Sequence, residues 1–310
     1  MTNETVRRAL MVGGGTMGSG VAVVFLAGGW CVDVVTPSEK TRASLADRCA
    51  QGLKRMGKPF DPAALAVHAG YDTVPWGEVG IVVENVSEDL ALKQRVFAEL
   101  VGVAPRGIPL TSNASSFPIS AIGHGLETQD RMMGLHFYMP AFLVPLVEVV
   151  RSTRTDVALA DQVGAWMWRL GKRPVQVARD IEGFLANRIQ HALIREAVNM
   201  VQLGIASPQD VDAAIRYSFG FRLAVAGPLL QREHAGWDMS YAVAKSLYPY
   251  LSKMDAPPPV VEEMVKAGHY GMKTGRGFYA WDKESIAKEK ERYERALQKI
   301  LAIFAEEGLK

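Results

Sequence analysis

The sequence predicts an α/β chain, with a doubly wound, mostly parallel sheet at the N-terminus followed by an all-α C-terminal domain. Three observations carry that reading. Short β-branched runs alternate with helical patterns through the first half, a glycine-rich turn follows the first run, and strand patterning stops after Asp180. The 310 residues also favour two domains over one.

Strands are expected near 9–12, 32–35, 81–84, 110–112 and 144–149, with helices between several of them. Strands that alternate with helices pair in parallel and are covered on both faces. From Gly183 the pattern is helical, with segments expected near 184–203, 208–217, 238–251 and 260–267. The domain boundary is therefore placed after residue 182, giving domains 1–182 and 183–310. Pro257, Pro258 and Pro259 mark a loop that feeds the next helix, because proline is tolerated in a first turn and not in an interior. In the last stretch, Tyr293, Leu297, Ile300, Leu301 and Phe304 share one helical face, which must pack on the chain's own second domain or on another copy.

Composition excludes several classes of function. Hydrophobic residues are 48% and charged residues 22%, with a net charge of +2, so there is no basic footprint for nucleic acid. Cys31 and Cys49 lack the paired spacing of zinc or redox sites and are expected as buried thiols in a reducing compartment, with no metal centre. Arg7 and Arg8 run directly into the glycine turn without an apolar leader, and the apolar stretch 21–35 is interrupted by Gly28, Gly29 and Asp33. A cytoplasmic protein without a membrane span is expected.

Gly13-Gly14-Gly15-Thr16-Met17-Gly18 fits G-x-G-x-x-G between the first strand and a helix, the position a Rossmann-type dinucleotide site requires. Gly13 permits the tight turn, Gly15 lets backbone approach the pyrophosphate, and Gly18 lets the helix pack on the strand. Thr16 and Met17 lie in the same turn. The acidic residue usual about 20 positions later, which reads the NAD ribose, is replaced by Thr36, followed by Ser38, Lys40 and Arg42. A hydroxyl with nearby cations accommodates the 2′-phosphate of NADP; alternatively Lys40 and Arg42 form a solvated helix face. NAD is expected and NADP stays open. Asp33 should point to the other side of its strand.

Further on come Ser112-Asn113-Ala114-Ser115-Ser116, Gly134-Leu135-His136-Phe137-Tyr138-Met139-Pro140 and Pro145-Leu146-Val147-Glu148-Val149-Val150. Glu84, Glu88 and Lys93 precede them; Gly183-Phe184-Leu185-Ala186-Asn187-Arg188 and Lys273-Thr274-Gly275-Arg276-Gly277-Phe278-Tyr279 follow. Together with the glycine turn, these motifs resemble the L-3-hydroxyacyl-CoA dehydrogenase family over nearly the whole chain. The resemblance implies hydride transfer between NAD(P) and a 3-hydroxyacyl-CoA in fatty acid metabolism, and a homodimer formed through the helical domain.

The residues support that chemistry. Loss of hydride from a carbinol carbon must be matched by loss of the hydroxyl proton, and a base titrating near neutrality serves best. His136 fits, and Glu148 on a following strand would fix its tautomer and favour the imidazolium. Histidines 68, 124, 191, 234 and 269 lack such a partner and read as surface or structural. The resemblance implies that Ser115 bonds the reacting oxygen and Asn187 the substrate carbonyl, and that Glu88, Lys93 and Asn113 lie near the nicotinamide and ribose. Otherwise Ser115 caps the next short helix and Asn187 makes a local backbone bond.

Departures bear on the substrate. Phe-Tyr-Met-Pro replaces the family's Phe-Phe-Asn-Pro after the histidine, and Ala114 replaces a common threonine. Gly220-Phe221-Arg222-Leu223 and Ala226-Gly227-Pro228-Leu229 stand where His-Pro-Met-Gly-Pro is common. These segments and the extra C-terminal helix look more like the branch holding L-gulonate 3-dehydrogenase, λ-crystallin and L-carnitine dehydrogenase. Three readings follow: an acyl-CoA dehydrogenase with CoA phosphates near Lys54, Arg55 and Lys58, a dehydrogenase of free 3-hydroxy acids with Arg188 or Arg222 on the carboxylate, and a non-catalytic crystallin-like or cofactor-sensing protein.

Overall fold

The structure, a computed structural model, describes residues 8–306; residues 1–7, with Arg7, and the end of the terminal stripe segment, 307–310, lie outside the described residues. Two compact units divide between Arg188 and Ile189.

The first unit is built on one eight-stranded sheet in the order β3-β2-β1-β4-β5-β6-β7-β8. Its strands are β1 (Arg8–Val12), β2 (Cys31–Val35), β3 (Leu65–His68), β4 (Ile81–Glu84), β5 (Leu110–Ser112), β6 (Met132–Phe137), β7 (Leu146–Val150) and β8 (Arg173–Val177). All neighbours pair in parallel except β6 and β7, which are antiparallel. Parallel strands need crossovers, and these carry α1 (Thr16–Ala27), α2 (Glu39–Arg55), α3 (Leu90–Val103), the short α4 (Ile119–Ile122) and α5 (Val157–Arg169). Alternate residues of β1 enter different cores, Ala9 and Met11 one and Leu10 and Val12 the other, so apolar layers cover both sheet faces.

Three strands exceed the five expected. β3 and β8 are half-buried edge strands; β3 is four residues in an alanine-rich run, and β8 carries Arg173, Pro174 and Gln176. β6 is fully buried but is interrupted by Gly134, where an added Cβ would lie 3.0 Å from Val150 Cβ. Cys49 is buried as expected; Cys31, at the start of β2, is only half-buried.

Lys172, just before β8, is buried and donates to the carbonyls of Ala141 and Val144. These carbonyls belong to the connection between β6 and β7, so a lysine anchors that loop from below. Burial pushes its ammonium down from the ordinary 10.5 to about 8.

The second unit contains the rest of α6 (Ala186–Gln202), α7 (Pro208–Tyr217), α8 (Phe219–Leu223), α9 (Pro228–Ala235), α10 (Trp237–Leu247), α11 (Pro259–Lys266) and α12 (Lys283–Glu306). α8 and α9 were not expected, and the helix expected over 238–251 ends at Leu247 in a further turn, Tyr248–Tyr250. None of the described residues from 185 onward is buried. Among the described residues, no helix is long and apolar enough to cross a membrane.

Two outcomes follow from this packing. A Cβ at Gly18 would lie 1.9 Å from the Gly13 carbonyl oxygen, whereas one at Gly15 meets nothing within 4 Å. Gly18→Ala should therefore lose at least about 2 kcal/mol in urea unfolding, and Gly15→Ala less than about 1 kcal/mol; equal losses would contradict the packing. For Lys172, the unfolded chain binds more protons than the folded one between pH of about 8 and 10.5. Stability should then gain from this group as pH rises through that window, and Lys172→Met should remove that part of the slope in denaturant titrations; parallel pH curves would refute it.

Candidate active site

The glycine turn leaves β1 with Gly13 at φ +98°, where a Cβ would lie 2.8 Å from the Asn85 carbonyl oxygen. Gly15 is the N-cap of α1, and neither a capping side chain nor an acidic residue occupies the first turn. The N–H groups at Thr16 and Met17 thus lie at a positive helix end without side-chain caps, which suits a pyrophosphate. Gly18 lets α1 approach the chain where it leaves β1: a Cβ there would run into the Gly13 carbonyl and lie 3.4 Å from Asn85 Cβ. Arg48 of α2 supports the turn by donating to the Gly14 carbonyl at 2.7 Å.

At the end of β2, Thr36 is buried and donates its N–H to His68 O at 3.0 Å. Arg42 Nη1 donates to the carbonyls of Thr36 and Pro37 at 2.9 and 2.7 Å, so Arg42 braces the turn and is not a solvated cation. Ser38 caps α2 by accepting from Thr41 N at 3.2 Å. Asp33 is committed elsewhere, to Arg8 at 2.8 Å and His68 at 2.7 Å. His68 therefore does have a carboxylate partner, contrary to expectation, and its other nitrogen meets Thr73 Oγ1 at 2.8 Å; the pair ties β2 to β3.

Glu84, at the carboxyl end of β4, is fully buried and pairs with Lys93 of α3 at 2.9 and 3.1 Å. Its carboxylate also accepts from Ser112 Oγ and Val86 N, each at 2.6 Å. Lys93 reaches Glu88 at 3.4 Å, and the opposite Glu88 oxygen accepts from Ser115 N, Ser115 Oγ and Ser116 N at 2.9, 3.2 and 2.7 Å. Partial burial pushes the Glu88 carboxyl up, but Lys93 and the Ser116 and Ser115 amides more than offset this and hold it below the ordinary range. Asn113 joins β5 to β6 by accepting from Phe137 N at 2.8 Å and donates to Asn85 Oδ1 at 3.0 Å. Ser115 does not cap α4, whose N-cap is Pro118.

His136 and Glu148 are direct partners across the antiparallel β6·β7 pair. His136 Nδ1 lies 2.8 Å from Glu148 Oε2, with both side chains buried. Tyr138 donates its hydroxyl to the same oxygen at 3.0 Å, while Oε1 accepts from Leu185 N at 3.1 Å and Ala186 N at 2.8 Å. Burial pushes the Glu148 carboxyl up, yet the bonds from His136, Ala186 and Tyr138 win and hold it below the ordinary value. An ionised carboxylate only accepts, so Nδ1 carries hydrogen and Nε2 is left as the imidazole's acceptor. The ring also sits edge-on to Phe184 at 5.5 Å. Asn187, one residue past that carboxylate clamp, donates to Ser115 O at 3.5 Å, a bond across 72 residues and not a local one.

The structure thus gathers Glu88, Lys93, Ser115 and Asn187 into one bonded chain, holds Asn113 separately on Asn85 and the Phe137 amide, and pairs His136 with Glu148. Sequence reasoning missed the organising role of Glu84, the support from Arg48 and Asn85, and the bond from Tyr138. Two of these had a signal: Glu84 is a carboxylate ending an apolar strand, and Tyr138 is two residues beyond His136, on the same side of the chain by strand alternation.

Comparison with known proteins identifies the family. Residues 8–181 match the 3-hydroxyacyl-CoA dehydrogenase NAD binding domain, and residues 183–281 match the C-terminal domain of the same family. A 3-hydroxybutyryl-CoA dehydrogenase of Mycobacterium tuberculosis is 33% identical over 90% of this chain and 100% of its own. A 5-formyl-3-hydroxy-2-methylpyridine 4-carboxylate 5-dehydrogenase of Mesorhizobium japonicum is 29% identical over 96% of this chain and 98% of its own. Among solved structures, a 5-dehydrogenase of that pyridine acid, described as an NAD+ dependent dismutase, superposes with a TM-score of 0.86 at 26% identity over 98% of this chain and 99% of its own. The M. tuberculosis FadB2 structure gives 0.74 at 32% identity, covering 90% of this chain and 100% of its own. The chain belongs to the 3-hydroxyacyl-CoA dehydrogenase family and is an NAD-dependent oxidoreductase acting on a CH–OH group.

Proposed function

We propose that this dehydrogenase interconverts a hydroxyl and a carbonyl on a small organic acid, with His136 as the acid–base group and Glu148 as the carboxylate that orients it. The hydrogen bond between them carries the reading. With Nδ1–H held by Glu148, Nε2 takes the hydroxyl proton in oxidation and returns it in reduction. NAD, when bound, supplies the hydride acceptor. The first turn of α1, from Gly15 to Gly18, would hold its pyrophosphate, with Gly13 shaping the turn and Thr36 and Ser38 bordering the ribose. Arg42 Nη1 is engaged by two carbonyls, which favours NAD over NADP. Ser115, held by Glu88 through its N–H and by Asn187 through its carbonyl, would turn its hydroxyl from Glu88 to the reacting oxygen when substrate binds; the Asn187 amide would bond the substrate carbonyl. Glu88, Lys93 and Asn113 would border the nicotinamide and ribose.

Two substrate classes compete. A free carboxylic acid is favoured because the likeness to the pyridine-carboxylate enzyme extends over nearly the entire chain, whereas the family domains end at residue 281, before α12. An L-3-hydroxyacyl-CoA is the second reading, supported by the higher identity to a 3-hydroxybutyryl-CoA dehydrogenase and by exposed Lys54, Arg55 and Lys58 at the end of α2. Domain 1–182 would carry the cofactor, and domain 183–310 the substrate and dimer contacts.

We also infer a homodimer. Tyr217, Phe221, Leu229 and Tyr241 of the helical unit are 76%, 71%, 70% and 71% exposed, an apolar surface that a second copy would cover.

Initial rates of NADH oxidation with acetoacetyl-CoA and with free acetoacetate, repeated with aromatic carboxylates bearing a carbonyl, decide the substrate. Turnover confined to the thioester would reject the free-acid reading, and the better substrate should run slower with NADPH. His136→Ala should lower kcat about a thousandfold with the NADH dissociation constant unchanged; normal turnover would remove His136 as the base. Sedimentation should give twice the 33.8 kDa chain mass, and a monomer at micromolar concentration would contradict the dimer.

A further inference from the structure

We propose that Tyr138 is a positioning residue that tunes the His136–Glu148 pair by sharing the carboxylate oxygen that His136 uses. The inference rests on reading His136 as the acid–base group. His136 Nδ1 and the Tyr138 hydroxyl both donate to Glu148 Oε2, at 2.8 and 3.0 Å, and their rings lie 4.5 Å apart between centroids. The arrangement follows from local geometry. His136 and Tyr138 are two residues apart at the end of β6, so strand alternation sends both toward the same side, while Phe137 between them enters the apolar core.

The consequence is electrostatic. A carboxylate oxygen that accepts a second donor has part of its charge neutralised and attracts an imidazolium less strongly. With Leu185 and Ala186 N–H groups already on Oε1, the Tyr138 hydroxyl supplies the fourth donor to Glu148. The Tyr138 hydroxyl thus takes up part of the carboxylate charge that would otherwise act on His136 alone, and so moderates the hold of Glu148 on the imidazolium that hydride transfer forms. A phenylalanine in this place would leave His136 as the sole side-chain donor to Oε2.

The described groups on the elements next to His136 are paired or uncharged. β7 contributes Glu148, the segment before α6 contributes the uncharged ring of Phe184, and β8 places Val175 opposite Glu148. On the β5 side, Ser112 is bonded to Glu84, whose charge is met by Lys93, and Lys93 in turn meets Glu88. The hydroxyl of Tyr138 itself stays protonated: burial and the neighbouring Glu148 charge both push its ionisation upward.

The test is Tyr138→Phe in the full-length enzyme, which keeps the ring and removes only the hydroxyl. NMR titration of the His136 imidazole should show its pKa rising by about half a unit to one unit, the scale of one lost carboxylate hydrogen bond. The acid limb of the pH profile for oxidation and the alkaline limb for reduction should both move upward by the same amount. Glu148→Gln serves as the background control: with the carboxylate charge gone, adding Tyr138→Phe should no longer shift the imidazole. An unchanged or lower His136 pKa in Tyr138→Phe would overturn the proposal. An upward NMR shift with immobile kinetic limbs would leave the role of Tyr138 standing and reject His136 as the acid–base group.

Discussion

A carboxylate taken out of water is costly unless each oxygen finds donors, and the centre of this fold is arranged around that requirement at Glu148. The side chain is inside the sheet layer, where no solvent satisfies it. Four donors meet it, from two strand-end side chains and two consecutive backbone amides of the segment leading into α6. The antiparallel β6·β7 pair places His136 directly opposite, and the turn at 184–186 must close over the other oxygen. Loss of any one partner leaves a buried anion under-solvated, so the positions of β6, β7 and the start of α6 are mutually determined.

A second buried carboxylate repeats the logic one step along the sheet. Glu84 is neutralised by Lys93, and its remaining capacity is filled by Ser112 and the Val86 amide. That cluster joins β4, β5 and α3, and it passes through Lys93 to Glu88 and then to the Ser115 backbone. Pre-organisation of this kind makes dipoles useful in catalysis, because they need not reorient as charge develops. Asn113, with one bond to Asn85 and one to the Phe137 amide, ties the end of β6 to the segment that follows β4.

The family, the sheet class and the helical second half were legible in the sequence because they depend on patterns that repeat: strand–helix alternation, a glycine turn, and motifs in fixed order. His136 with Glu148 was legible because a histidine and a carboxylate flank one turn between strands. Other features were hidden for physical reasons. β8 is an edge strand whose apolar residues are broken by Arg173, Pro174 and Gln176, and β3 is a four-residue edge strand in an alanine-rich run that reads equally as helix. Arg42 was left open between a phosphate-binding cation and a solvated helix face, and Arg48 was not singled out, because sequence does not reveal which carbonyls turn inward; both are held by backbone oxygens of turns. The His68–Asp33 pair was missed because its partners come from different strands and meet only in the β2·β3 register.

The division of labour within the chain follows from where the buried polar groups lie. Every member of the two carboxylate clusters precedes Ile189, and the described residues beyond it include none that is buried. Substitutions in β4 to β7 therefore act on charge and tautomer, where a single lost partner exposes a buried anion. Substitutions in α7 to α12 act on side chains that are at least partly exposed, where a lost partner leaves no buried anion behind. A scaffold divided in this way can keep one hydride-transfer chemistry while its helical half changes. The likeness of one chain to enzymes of both acyl thioesters and a pyridine carboxylate is what that division would produce.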